Sequence, residues 1–314
     1  MRWIGAAVLI GLVSVVGGCA AGSDAPAEAR ATVDAGYDPT TAPNSDADWE
    51  IMVAQARWAY SERLDTLPIG EIVARIGQRF LGTRYTPKTL EVPGEEGLVI
   101  ELEELDCVTF VENVLALARL VQRAPPGILA EERVYKAFYS GILTNIRYRG
   151  GRLDGYPSRL HYFSEWISDN EDMGLLRDVS GELGGVFDDE PVTFMTTHPD
   201  AYRQLRENPS FLEAVRETER ALSAQPRIYI PQQDIAAIAD KIENGDIIAA
   251  TSTIEGLDVA HTGIALWVDG QLRLLNAPLV GDSVQISELP LVERILGKTS
   301  QNGIMVARPL DVRR

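Results

Sequence analysis

Apolar residues recur first at helical spacing along the chain and later at strand spacing. Residues 47–63 carry Ile51, Ala54 and Trp58, with Leu64 just beyond. Residues 68–81 carry Ile69, Ile72, Val73, Ile76 and Phe80, with Pro68 where a first helical residue belongs. Residues 98–102 (LVIEL) suit a short strand. A long helix is predicted from Cys107 to about Gln122, stopped by Ala124-Pro125-Pro126-Gly127. Further helices are predicted at 130–143, at 159–169, and near 199–206 and 209–223. After residue 244 the period changes. GDIIAATS, HTGIALWV, LRLLNAP, SVQI and GIMVARPL are short apolar runs between turn residues. They predict an antiparallel sheet of up to five strands, with a helix near 289–297 interposed. Helices first and sheet later imply an α+β fold with segregated layers.

The N-terminus has a different pattern. Residues 1–18 place one Arg before an apolar run that is too short to span a membrane comfortably, as a secretory signal does. Val16-Gly17-Gly18-Cys19 resembles a bacterial lipobox, which implies cleavage before Cys19 and lipidation of Cys19. Residues 19–46 are rich in Ala, Asp, Ser, Pro and Thr and lack apolar periodicity, so they read as a flexible tether. A single domain is expected over 47–314, anchored by lipid on the periplasmic side of a bacterial membrane.

Composition narrows the chemistry. Among 314 residues, 29 Lys and Arg oppose 46 Asp and Glu, a net charge of −17. An acidic surface repels phosphates, so nucleic acid is excluded as a partner. An apolar fraction of 45% excludes global disorder. Two Cys and three His cannot build a Cys/His zinc cage, so no metal site is expected. Dinucleotide and nucleoside-triphosphate motifs are absent.

The candidate nucleophile is Cys107. Asp106 is a good N-cap, and Leu105 and Phe110 can form a hydrophobic staple around it, so Cys107 falls in the first helical turn. There the free N–H groups and the helix dipole favour a thiolate. If Cys19 is lipidated, Cys107 has no cysteine partner in an oxidising compartment.

The candidate base is His261, which opens an apolar strand. Asp269-Gly270 is a two-residue hairpin signal. If Val268 pairs with Gln271, Gly263 lies opposite Asn276, and His261 and Asn276 share one sheet face as diagonal neighbours. Gly263 and Ala265 on that face would let the cysteine-bearing helix approach. A three-residue turn would put Asn276 on the other face. An imidazole that takes the thiol proton, oriented by a third polar group, is what thiol acyl transfer needs.

Five segments together resemble the NlpC-type superfamily of papain-like cell-wall cysteine hydrolases, and more closely its N-acetylmuramoyl-L-alanine amidase-like branch. They are FLGTRYTPKTLE (Phe80–Glu91), LDCVTFVENVLAL (Leu105–Leu117), IRYRGG (Ile146–Gly151), YPSRLHYFSEWI (Tyr156–Ile167) and GDIIAATSTIEGLDVAHTGIAL (Gly245–Leu266). The resemblance implies a papain-like α+β fold and no metal or organic cofactor. It matches Cys107 to the nucleophile, His261 to the base and Asn276 to the orienting residue. Relatives often carry His at the last position, and Pro where this chain has Arg84. By the same resemblance Tyr85, Glu91, Tyr148, Arg159 and His161 would line the substrate cleft. The implied reaction is hydrolysis of the muramoyl–L-alanine amide of peptidoglycan or muropeptides through a cysteine thioester. Two alternatives remain at this stage: a γ-D-glutamyl–diamino-acid endopeptidase of the stem peptide, and a non-catalytic murein-binding lipoprotein.

Overall fold

Helix α1 (Asp46–Ser61) opens the computed structural model, which describes residues 43–312. The predicted signal (1–18), Cys19 and the tether as far as residue 42 lie outside the described residues. Ser45 caps α1 in a reciprocal box with Asp48. Helix α2 (Ile69–Gln78) follows, with Pro68 at the N-cap rather than inside the first turn. Its missing cap comes from far along the chain: Asp311 Oδ1 accepts the Ile69 N–H at 2.8 Å.

Helix α3 (Cys107–Arg123) is central, and every residue from Thr109 to Val121 is buried. Its polar stripe is therefore internal, and each polar side chain needs a partner. Glu112 pairs with Arg147 at 2.7 Å. Asn113 accepts from the Tyr139 hydroxyl at 2.7 Å and donates to Thr109 O at 2.8 Å. Helix α4 (Glu132–Arg147) runs one turn past its predicted end.

Two predicted elements differ. Residues 98–102 join no ladder. Side chains satisfy their backbone instead: Asn44 Oδ1 accepts the Ile100 N–H at 2.6 Å, and Asp48 Oδ1 accepts the Leu102 N–H at 2.7 Å. Helix α5 (Phe163–Asp172) starts four residues later than expected. Arg159 is held outside it by Leu90 O at 2.8 Å, and Asp258 Oδ2 accepts the Ser164 N–H at 2.7 Å. Helix α6 (Phe211–Ala224) matches its prediction closely, whereas the segment near 199–206 is a 3₁₀ turn followed by the short helix Arg203–Glu207.

The strands are β1 (Arg84–Tyr85), β2 (Glu104–Leu105), β3 (Leu176–Asp178), β4 (Val186–Asp188), β5 (Arg227–Pro231), β6 (Ile247–Ser252), β7 (Val259–Val268), β8 (Gln271–Asn276), β9 (Gln285–Ile286) and β10 (Gln301–Pro309). The first two form a small parallel pair. The rest form one sheet in the order β4-β5-β10-β6-β7-β8-β9, with β3 also on β10. The five strands expected from the sequence are β6 to β10. Strands β3 to β5, three to five residues long, are additions to that expectation. Helix α7 (Leu291–Leu296) lies between β9 and β10 as predicted.

Alternation along the strands builds two cores. Ile247, Ala249, Ile264, Leu266 and Leu275 face α1 to α4. Ile248, Ala250, Ala265, Leu272 and Leu274 face the other way, with Leu291 and Ile295 of α7. The cysteine-bearing helix thus packs on the Ile264 and Leu266 face. The small residues Gly263 and Ala265 do not receive it, contrary to the expectation from the sequence. A third cluster, with Tyr156, Tyr162, Phe194, Met195 and Leu222, joins the middle of the chain to α6.

Candidate active site

Asp106 caps α3 by accepting the N–H groups of Val108 at 3.1 Å and Thr109 at 2.8 Å. Thr109 Oγ1 returns the bond by accepting the Asp106 N–H at 2.9 Å. The Phe110 N–H goes to Asp106 O. This leaves the Cys107 N–H as the first-turn donor that the cap does not use. Cys107 is a free, partly exposed cysteine.

The thiol differs from the expectation. Burial pushes it up to about 12, and the Asp106 charge pushes in the same direction. Backbone hydrogen bonds from Thr262 and from the first helical turn favour the thiolate but are outweighed. The sulfur therefore rests as a thiol, and any chemistry at it needs a neighbouring group that takes the proton.

The β7–β8 hairpin turns at Asp269-Gly270, both with positive φ (50° and 76°), and Val268 pairs with Gln271. This is the two-residue register. Continued one step past the Ile264–Leu275 pair, it puts Gly263 across from Asn276. His261 Nε2 lies 2.8 Å from Asn276 Oδ1. The amide's orientation follows from its other bonds. Asn276 Nδ2 donates to Leu274 O at 3.1 Å and to Gln285 O at 3.2 Å, and carbonyls can only accept. Oδ1 is thus the acceptor, Nε2 carries the imidazole proton, and Nδ1 holds the basic lone pair.

Two cavities meet at Tyr85, Cys107 and Ala260. One, of about 420 Å³, is lined also by His261, Pro278, Val280, Gln285, Arg294 and Lys298. The other, of about 280 Å³, is lined also by Lys88, Glu91, Arg159, His161, Phe194 and Tyr202. Of the residues singled out from the sequence, Tyr85, Glu91, Arg159 and His161 thus share a cavity with Cys107. Tyr148 does not line it. Its hydroxyl is buried behind the wall, bonded to Glu96 and Gly97 O at 3.0 Å each.

The electrostatics of this wall are set by Arg159. It pairs with Glu91 and Glu96 and donates to Leu90 O. Burial works against its charge, but the two carboxylates more than offset that and raise its pKa. Burial and Arg159 hold His161 well below the ordinary histidine range, so it stays neutral. His161 Nε2 meets Tyr156 O at 2.9 Å, which makes Nε2 the protonated nitrogen and Nδ1 an acceptor. Burial raises the Tyr85 hydroxyl, with Cys107 and Asp106 adding to the effect, so it remains a neutral donor.

Sequence reasoning passed over Lys88, Tyr202 and Arg294. Lys88 Nζ donates to Ala201 O at 3.3 Å, and Arg203 donates to Glu91 O at 3.1 Å. These bonds tie the 199–207 segment to the wall, a long-range relation with no local signal. Asp48, Glu101 and Glu103 bring oxygens near one another, away from both cavities. Asp48 and Glu101 spend theirs on backbone N–H groups.

A family model described as AmiA-like, N-acetylmuramoyl-L-alanine amidase-like, matches residues 75–304. Two crystal structures of an N-acetylmuramoyl-L-alanine amidase from Bacteroides uniformis share 34% and 35% identity with this chain, with TM-scores of 0.70 and 0.71. Each covers 77% of this chain, and the match covers 99% and 98% of theirs. A Bacteroides fragilis structure named as a candidate xylanase shares 37% identity over 74% of this chain and 98% of its own, with a TM-score of 0.67. Comparison with curated proteins gives no match. The matched segment contains Cys107, His261, Asn276 and both cavities, and this chain belongs to the N-acetylmuramoyl-L-alanine amidase-like family of peptidoglycan hydrolases.

Proposed function

We propose that the chain hydrolyses the amide between the muramoyl lactyl group and L-alanine, with Cys107 as nucleophile. The observation that carries this reading is the 2.8 Å bond from His261 Nε2 to an amide whose orientation is fixed, which leaves Nδ1 as the base. His261 Nδ1 takes the thiol proton as the sulfur attacks the lactyl carbonyl. The Cys107 N–H is one donor to the oxyanion. The imidazolium then protonates the departing alanine nitrogen. Water, activated by neutral His261, resolves the thioester and frees the lactyl carboxylate. This is a papain-like arrangement of the NlpC type that needs no cofactor.

A glycosidase would need two carboxylates free to act on either side of a sugar bond. Of the carboxylates lining the two cavities, Arg159 holds Glu91 and the α3 cap occupies Asp106, which leaves Glu288 of the larger cavity without a second free carboxylate beside it. Incubation with defined muropeptides followed by mass analysis tests the proposal. It expects a free muramoyl sugar and an intact peptide. A cut after D-glutamate would assign the bond to the endopeptidase class, and no product would leave a binding role.

The lipid anchor and the periplasm-facing location are part of the same proposal and rest on Val16-Gly17-Gly18-Cys19. Cys19→Ser should leave the membrane fraction. An unmodified Cys19 in the mature wild-type protein would refute this part.

A further inference from the structure

We propose that Arg294 is a positioning residue for His261, acting through the Asn276 amide and setting the lower pH limit of the reaction. This rests on the reading of Cys107 as nucleophile and His261 as base. Arg294 sits on α7, anchored by buried Leu291 and Ile295, and lines the larger cavity with Cys107 and His261. Its Nη2 lies 3.3 Å from Asn276 Oδ1, the atom that also receives the His261 Nε2–H.

An amide oxygen has two lone pairs, and here both are taken. One accepts from the His261 Nε2–H and the other from a permanent cation. With both Nδ2 hydrogens also committed, Asn276 is saturated, and its rotation would break four bonds at once. Arg294 therefore locks the orienter. It also puts a positive charge on the same oxygen that the imidazole bonds, which opposes a second positive charge on the imidazole. A carboxylate orienter does the opposite.

The other charged or titratable groups that face this site are Asp106, Cys107 and Tyr85 on the α3 and β1 side, and Glu288 and Lys298 on the side of α7. Arg294 differs from them in bonding the orienting atom itself. The base must be neutral to work, so the acid limb of kcat/KM marks the pH below which His261 is protonated. Removing the guanidinium charge makes protonation easier, and the limb moves to higher pH. A charge acting through one shared oxygen at a partly exposed site gives a shift on the order of half to one pH unit.

The test compares wild type, Arg294→Gln, Arg294→Lys and Cys107→Ala as full chains on one muropeptide from pH 5 to 9, with thermal melts. The expected result is an acid limb raised in Arg294→Gln and kept in Arg294→Lys, which preserves the charge but loses the fork geometry and some kcat. An unmoved limb in Arg294→Gln, or a higher KM alone, would overturn the inference and make Arg294 a substrate contact. If Arg294→Gln melts below the assay temperature, Arg294→Met, which keeps the packed stem and removes the charge, decides: a raised limb supports the inference, and an unmoved limb overturns it. Turnover by Cys107→Ala would instead sink the underlying reading.

Discussion

Gly263 lies so close to Asn276 that a Cβ at position 263 would come within 2.9 Å of the Asn276 Cβ, and within 2.8 Å of Leu275 O. The strand backbone leaves no room to give. Gly263→Ala should therefore push Asn276 off the His261 Nε2–H. The expected effects are a loss of kcat on the order of tenfold to a hundredfold, and about 1–3 kcal/mol of stability from overpacking. Steady-state kinetics and a melting curve check both. Unchanged kcat in a folded variant would mean that the hairpin adapts without moving the orienter.

Asn276 itself should be sensitive in a specific way. Asn276→Ala removes a donor from Leu274 O and from Gln285 O and leaves the ring free to turn, so both stability and kcat should fall. Asn276→His restores a ring nitrogen for the His261 N–H and one N–H donor, and should retain more kcat than Asn276→Ala. Asn276→Asp keeps the acceptor but adds a negative charge that favours the imidazolium, so its acid limb should move upward. Kinetics across pH on all three variants measure this, and equal kcat for wild type and Asn276→Ala would remove Asn276 from the mechanism.

The reactivity of the thiol follows from its environment. With Cys107 pushed up to about 12, roughly one thiol in 10⁵ is ionised at pH 7 without help. Iodoacetamide should alkylate His261→Ala slowly, at a rate rising about tenfold per pH unit through pH 10. Wild type should react faster near neutrality because His261 accepts the proton. A plateau near pH 8 in His261→Ala would show a sulfur far more acidic than this site allows.

How much of this was legible in the chain depends on range. The Asp106 cap and the Asp269-Gly270 hairpin are local, and they were enough to put Cys107 in a first turn and Asn276 on the His261 face. The helix dipole and first-turn N–H groups that favour the Cys107 thiolate are local, whereas the burial that outweighs them comes from the packing of distant elements. Asp106 makes the point well: the carboxylate that caps the helix also raises the sulfur. Residues 98–102 have strand-like composition, but Asn44 and Asp48 capture their N–H groups. Arg294 reaches Asn276 from a separate helix 18 residues on, a contact that no spacing rule anticipates.

His161 should also shape acid stability. Its folded-state pKa lies well below the ordinary value of 6.5, so the unfolded chain takes up the proton first as pH falls. Its contribution is full above the unfolded value and is lost progressively below it, as pH falls toward the folded value. Melting temperatures from pH 7.5 to 5 should decline more steeply for wild type than for His161→Gln. Parallel curves would show that His161 is already solvated when folded.

The central claim is that Cys107 forms the bond to the lactyl carbonyl. The most direct measurement incubates wild type and Cys107→Ala with one muropeptide, quenches in acid, and weighs intact protein and products. Wild type is expected to release peptide and to carry a transient adduct of the muramoyl acyl group on the Cys107 peptide. Cys107→Ala is expected to show neither, with turnover lower by several orders of magnitude and an unchanged melt. Retention of more than a tenth of the wild-type rate by Cys107→Ala would contradict the account.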